Sequence, residues 1–294
     1  MKSLKVHVYI KLIGSVDEMK NVLIIQDVSG FGKCSTTVAL PIISASGVTG
    51  TILPTSLLST HTGPEFPGFT FLDLFENMKA TLNHWVELGL KFDAVYTGYL
   101  GMIEHVDLLR EFIPKLLKDD GEIFIDPAFA DNGQYYHGFD DEYAKAQLRL
   151  VEIADYVFPN LSEACLMLGM NYESVDAGNE DDVRAVLDGL LDAGAKNALI
   201  TGVRANGEIG ASLKTSDGEI YTSLATFLPK SFHGTGDVFA SVIVGSYMRT
   251  GDMHKAIDLA VKFVPEAIKA TLEDENPITY GVHFEKVLHL LTNT

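Results

Sequence analysis

Basic residues are scarce in this chain: 22 lysines and arginines stand against 40 aspartates and glutamates in 294 residues, a formal charge of −18. Nucleic acid and anionic membrane surfaces need a basic face, so neither is expected as a partner. An anionic ligand would have to be held by local devices such as backbone N–H groups, a metal ion and a few cations. Cysteine is rarer still. Cys34 and Cys165 are the two present, far apart and in no CxxC pair. That excludes a disulfide framework and a cysteine-rich zinc site, and fits a reducing, cytoplasmic setting. No Pro/Gly/Ser-rich linker, low-complexity tract or internal repeat divides the chain, so a single domain is expected. No secretory leader is expected either: His7 and Lys11 interrupt the apolar run over 6–13, and no small-residue cleavage site follows. Residues 1–18 are expected to be an N-terminal extension or the product of a misplaced start, and 19–294 to form the domain, because Met19 leads at once into an apolar strand.

Hydrophobic residues make up 47 % of the chain, enough to bury a full core. Short continuous apolar runs (22–25, 92–96, 122–125, 197–202) alternate with segments of helical spacing (36–46, 71–88, 106–117, 181–191, 253–272, 282–291). Continuous runs read as strands buried on both faces. The expected fold class is therefore α/β, a three-layer α/β/α sandwich around a mainly parallel sheet. Residues 210–214 and 219–224, joined by Thr215-Ser216-Asp217-Gly218, alternate like a small antiparallel hairpin that would extend one edge.

One stretch organises the rest. Gly234-Thr235-Gly236-Asp237 opens directly onto the apolar run Val238, Phe239, Ala240, Val242, Ile243, Val244. A flexible loop feeding a buried helix brings unpaired N–H groups and the positive end of the helix dipole to one spot, which suits an anion. Asp237 stands at its mouth. A carboxylate beside a phosphate is wrong for binding alone but right for taking a proton from an attacking hydroxyl; the plainer alternative is a helix cap.

Other polar loops sit at the ends of the apolar runs, where open α/β sheets hold ligands. The first is Gln26-Asp27-Val28-Ser29-Gly30-Phe31-Gly32-Lys33-Cys34-Ser35. It is not a P-loop, since the first motif glycine would fall at Asp27 and a cysteine follows Lys33. A plain strand-to-helix turn is the alternative. Ser59-Thr60-His61-Thr62-Gly63 gathers hydroxyls and an imidazole, although a lone histidine is also a common packed side chain. Thr97-Gly98-Tyr99 offers a ring contact or a structural tyrosine. Asp126 and Asp131 supply hard oxygen ligands, with Asp131-Asn132-Gly133 equally readable as a turn. Asn160 and Glu163 have the spacing of a helix capping box.

On the Gly-Thr-Gly-Asp loop and its buried helix, the chain resembles the ribokinase-like small-molecule kinases. The remaining motifs make it similar to their pyridoxal/pyridoxamine kinase branch, from about residue 21 to the end. The resemblance implies a ribokinase-like fold, a homodimer, and ATP-dependent phosphorylation of the 5′-hydroxymethyl group of a vitamin B6 vitamer. It makes Asp237 the catalytic base, with the backbone of Gly234, Thr235 and Gly236 holding the transferring phosphoryl group. Asp27, Ser29, His61, Thr62 and Tyr99 would contact the substrate. Asn160, Glu163, Thr201, Gly202, Leu228 and Lys230 would face the nucleotide. Asp126 and Glu163 would serve Mg2+, and Asp131 a monovalent cation, K+ or Na+. Relatives often carry threonine where this chain has Phe158, so a side-chain hydroxyl for that ion is absent.

Three rivals remain open. A hydroxymethylpyrimidine kinase shares the Asp-x-Ser-Gly look of the first loop, but many of that branch carry a cysteine beside or within the anion-hole aspartate region, which this chain lacks. A sugar or nucleoside kinase would need a gly-gly-asp pattern in that loop. A non-catalytic nucleotide- or vitamin-binding protein on the same fold would have no use for an intact Asp237.

Overall fold

The computed structural model describes residues 19–63, 65–230 and 232–292; the extension expected over 1–18 lies outside the described residues. In chain order the elements are β1 (Asn21–Phe31), α1 (Thr36–Ala45), β2 (Thr49–Thr60), β3 (Phe71–Asp73), α2 (Phe75–Glu87), β4 (Phe92–Thr97), α3 (Ile103–Leu116) and β5 (Leu117–Ile125). Next come β6 (Ala130–Asp131), β7 (Gln134–Tyr135), α4 (Asp141–Val151), β8 (Tyr156–Val157), α5 (Leu161–Leu168) and α6 (Glu180–Asp192). The chain closes with β9 (Asn197–Ala205), β10 (Glu208–Thr215), β11 (Ile220–Thr226), α7 (Thr235–Thr250), α8 (Met253–Leu272) and a 3-10 segment, Phe284–Leu291.

Successive side chains of a strand point to opposite faces, and here both faces are covered. In β1, Leu23 and Ile25 enter a core on one side of the sheet, while Val22 and Ile24 enter a second core on the other. β4 divides likewise, Val95 against Ala94 and Tyr96, and β5 sends Ile123 and Ile125 one way and Phe124 the other. Helices α2 to α6 close the first core; α1, α7, α8 and the 3-10 segment close the second. This is the expected three-layer sandwich.

Among the described residues the main sheet has nine strands in the order β11-β10-β9-β8-β5-β4-β1-β2-β3. The six from β9 to β2 run parallel, and β10 and β3 are antiparallel to their neighbours. The β10–β11 hairpin matches the one read from the sequence. From β1 the connections lead to β2 on one side and to β4 on the other, so the loops beyond these strands part and leave a crevice at the carboxyl edge. No helix among the described residues is long and apolar enough to cross a membrane.

Several expectations change. The helix expected over 71–88 begins later, because Phe71–Asp73 pairs with β2 at Ser56, Leu57 and Leu58. The Asp73 carboxylate then accepts the Phe75 N–H at 2.8 Å and turns the chain into α2. Residues 282–291 form 3-10 turns over Phe284–Leu291 rather than an α-helix. The first polar stretch is not a solvent-facing turn: β1 continues to Phe31, and Asp27 and Ser29 are buried. Its register slips between Gln26 and Val28, where Thr55 and Ser56 of β2 stand against Asp27 alone. Such a bulge re-aims the side chain it frees.

Helix α7 is buried without a break from Val238 to Ser246. At roughly 1.5–3 kcal/mol for each fully buried large apolar side chain, Val238, Val242, Ile243 and Val244 anchor it firmly under the cleft.

Candidate active site

A cavity of about 570 Å³ opens at the carboxyl edge of the sheet, within the range of small-molecule sites. Asp27 and Ser29 of β1 line it, as do His61 and Thr62 beyond β2 and Tyr99 beyond β4. Asp126 follows β5, Asp131 lies on β6, Asn160 and Glu163 begin α5, and Thr201 is on β9. Gly234, Gly236 and Asp237 close the ring. Thirteen residues expected at the site thus share one hollow.

Four expected residues do not line it. Thr235 begins α7 and donates its hydroxyl to the Phe232 carbonyl at 3.1 Å. Gly202 holds a positive φ of 84° on β9. Leu228 packs against the second core, and the Lys230 ammonium lies 5.2 Å from the centre of the Phe232 ring.

Gly234 caps α7 with φ 74°, and a Cβ there would overlap the Lys33 carbonyl oxygen. Only glycine fits both constraints. Gly234 offers no side chain to cap the amides of the first turn. Asp237, the third helical residue, makes no capping bond, so the plain capping reading fails. Burial raises its carboxyl to about 7; a Ser35 backbone N–H pulls it down and the Asp27 charge pushes it up. Burial also raises Asp27, against hydrogen bonds from Ser35 and from the Ser29 hydroxyl at 2.8 Å.

The α5 end is a true capping box: Asn160 Oδ1 accepts the Glu163 N–H at 3.0 Å, and Glu163 Oε2 accepts the Asn160 N–H at 2.9 Å. Glu163 Oε1 accepts two further amides, Phe129 at 2.9 Å and Ala130 at 3.3 Å. Burial nonetheless raises its carboxyl to about 7. One lone pair remains on Oε2. Asp126 is raised well above the carboxylate range by burial, then by Glu163 and Asp237. Asp131 spends both oxygens on Asn132, the backbone N–H at 2.8 Å and the side-chain amide at 3.0 Å, in the tight β6–β7 turn.

Five carboxylates line this cavity, and among the described residues no lysine or arginine does. Crowded hard oxygen donors with no countercharge suit a divalent cation such as Mg2+, so Asp126 and Glu163 fit that ion.

Sequence reasoning missed the wall built by β6 and β7. Gln134, Tyr135, Tyr136 and His137 face the cavity. Burial and then Glu163, Asp131, Asp237 and Asp126 raise the Tyr136 phenol, keeping it a neutral donor beside the acids. The Asn132-Gly133 pair was a hairpin signal, but two-residue strands leave no periodicity to read. Cys34 and Ser35 were missed as lining residues too. Burial, Asp237 and Asp27 raise the Cys34 thiol, so it stays protonated.

The phosphomethylpyrimidine kinase family model matches residues 42–279. The chain is 29 % identical over 230 residues to a pyridoxal kinase of Arabidopsis thaliana, covering 74 % of this chain and 71 % of that one. It is 27 % identical over 195 residues to a hydroxymethylpyrimidine/phosphomethylpyrimidine kinase of Aquifex aeolicus, covering 66 % and 72 %. A solved structure from Bacteroides thetaiotaomicron, described as a phosphomethylpyrimidine kinase in a crystal form with pyridoxal, superposes with a TM-score of 0.87. That pair is 35 % identical, over 94 % of this chain and 96 % of that one.

Proposed function

The chain belongs to the phosphomethylpyrimidine kinase family, and from that premise we propose that it phosphorylates the 5′-hydroxymethyl group of a vitamin B6 vitamer with ATP. The observation that carries this reading is Asp237: a carboxyl raised to about 7, in one cavity with Asp27, Ser29, Thr62, Asp126 and Glu163.

An alkyl hydroxyl gives up its proton late, so transfer needs in-line positioning, charge neutralisation and a nearby base. Asp27 and Ser29 orient the pyridine substituents, and Thr62 and Tyr99 close on the ring. That places the hydroxymethyl group against Asp237, which takes its proton. The first-turn amides of α7 receive the phosphoryl oxygens, where Gly236 leaves open space: nothing lies within 4 Å of a Cβ built there. Asp126 and Glu163 would hold Mg2+, which would neutralise phosphate charge when bound. Asn160 and Thr201 border the nucleotide side.

A second reading, transfer to hydroxymethylpyrimidine, has the family's own description and the Aquifex aeolicus relative in its favour. Both substrates present a hydroxymethyl group on a nitrogen heteroaromatic ring. An ADP-release assay with pyridoxal, pyridoxamine, pyridoxine and hydroxymethylpyrimidine separates them. The expected result is faster turnover of a B6 vitamer. Preference for the pyrimidine would replace the proposal by its rival, and no ADP release with any of the four would refute both.

A further inference from the structure

At the mouth of the cavity three side chains from two loops meet. His61 and Glu65 follow β2; His233 precedes α7. Glu65 Oε1 lies 3.4 Å from His61 Nε2 and 3.1 Å from His233 Nε2, and the two imidazoles are 4.7 Å apart. Among the described residues this is the one group of three or more histidine, cysteine or acidic side chains whose ligand atoms all lie within 4.8 Å of one another. Separations near 3.3 Å suit ligands around a tetrahedral zinc, and they suit stretched N–H···O contacts equally well.

The tautomer decides between them. The Gly63 N–H donates to His61 Nδ1 at 3.1 Å, so Nδ1 carries a lone pair and the proton of the neutral ring sits on Nε2, facing Glu65. A protonated nitrogen cannot bind metal, and a metal-bound imidazole ordinarily donates from its other nitrogen rather than accepting there. The ring is also held in place. Phe66 packs edge-on at 4.9 Å, and a Cβ at Gly32 would come within 3.0 Å of its Cδ2. Burial lowers His61, which keeps it neutral and preserves this tautomer. Its buried Nε2 makes no hydrogen bond, and the Glu65 carboxylate, 3.4 Å away, is the acidic group that faces it.

Resting on the phosphotransfer reading above, we propose that Glu65 is a positioning residue: it clasps the substrate loop to the phosphate-binding loop through His61 and His233. His233 immediately precedes Gly234, so the clasp sets where the first-turn amides of α7 meet the phosphate. Losing that charged contact with the two imidazoles would cost roughly ten-fold in rate.

Two variants test the clasp. Glu65→Gln removes the charge, and His233→Phe keeps the ring but removes the donor. Each is expected to lower kcat/KM for the vitamin substrate roughly ten-fold while the KM for ATP stays unchanged. The double variant should be no worse than either single one, and His233→Gln, which restores a donor, should recover most of the loss. Wild-type turnover in Glu65→Gln, or multiplied losses in the double variant, would overturn the proposal. So would a molar equivalent of zinc bound by the wild-type protein and not by Glu65→Gln. Hydrogen exchange of segments 61–66 and 232–236 tests the clasp without any substrate: both should exchange faster in Glu65→Gln, and unchanged exchange refutes it. An inactive wild type with this exchange response would instead sink the kinase reading.

Discussion

Asparagine at position 237 keeps the shape of the aspartate and removes its ability to take a proton. A positioned general base contributes roughly 10²–10⁴ in rate, which is about 3–5 kcal/mol of barrier. Asp237→Asn should lose turnover by that factor while nucleotide binding, measured by calorimetry, survives. In the wild type, kcat/KM should climb with pH and level off above about 7, where this carboxyl ionises; the variant should lose that slope. Stability should move the opposite way. The folded value lies above the ordinary 3.8, so this group's contribution is fully present below about 4 and is lost as pH rises through about 7. The neutral amide escapes that loss. The ceiling is about 4 kcal/mol, reduced because the half-buried carboxylate keeps some hydration through the cavity. Thermal unfolding at pH 5 and pH 8.5 should therefore show a variant stabilised at both, by roughly a third of that ceiling at pH 5 and by nearly all of it at pH 8.5. A variant that turns over at the wild-type rate, or gains nothing at pH 8.5, would refute the assignment of a buried base.

The neighbouring positions give sharper contrasts. Glu163→Gln cannot accept all three amides now bonded to the carboxylate, so urea unfolding should show a loss of about 1–3 kcal/mol. An unchanged midpoint would mean that the amides find other partners. Gly234→Ala should destabilise the protein by more than about 1 kcal/mol, from a left-handed φ and the Lys33 carbonyl together. Gly236→Ala meets nothing within 4 Å, so its melting temperature should match the wild type. Its kcat/KM should fall all the same, because the methyl group stands where phosphate approaches. Full activity in Gly236→Ala would remove that loop from the phosphate site.

Much of the site was legible because its residues stand at the ends of strands that announce themselves. Four-residue apolar runs such as 22–25 are buried on both faces wherever they lie, so their period survives any tertiary arrangement. The Gly234-Thr235-Gly236-Asp237 loop was likewise legible, since glycine placement and the apolar run behind it are local. Phe71 and Leu72 misled because their spacing continues that of α2, while pairing with β2 depends on an edge more than ten residues away in sequence. Tyr136 stayed hidden because two-residue strands have no period.

The chain's own order of residues determined the alternation of strand and helix, the parallel sheet, and which loops would carry chemistry, because hydrophobic period and turn propensity act between near neighbours. Only the tertiary structure decided that Asp237 accepts the Ser35 amide rather than capping its helix, that Glu163 is saturated on one oxygen, and that Glu65 meets two histidines. Those contacts join segments far apart in the chain, and proximity across such distances comes from how the sheet orders its strands.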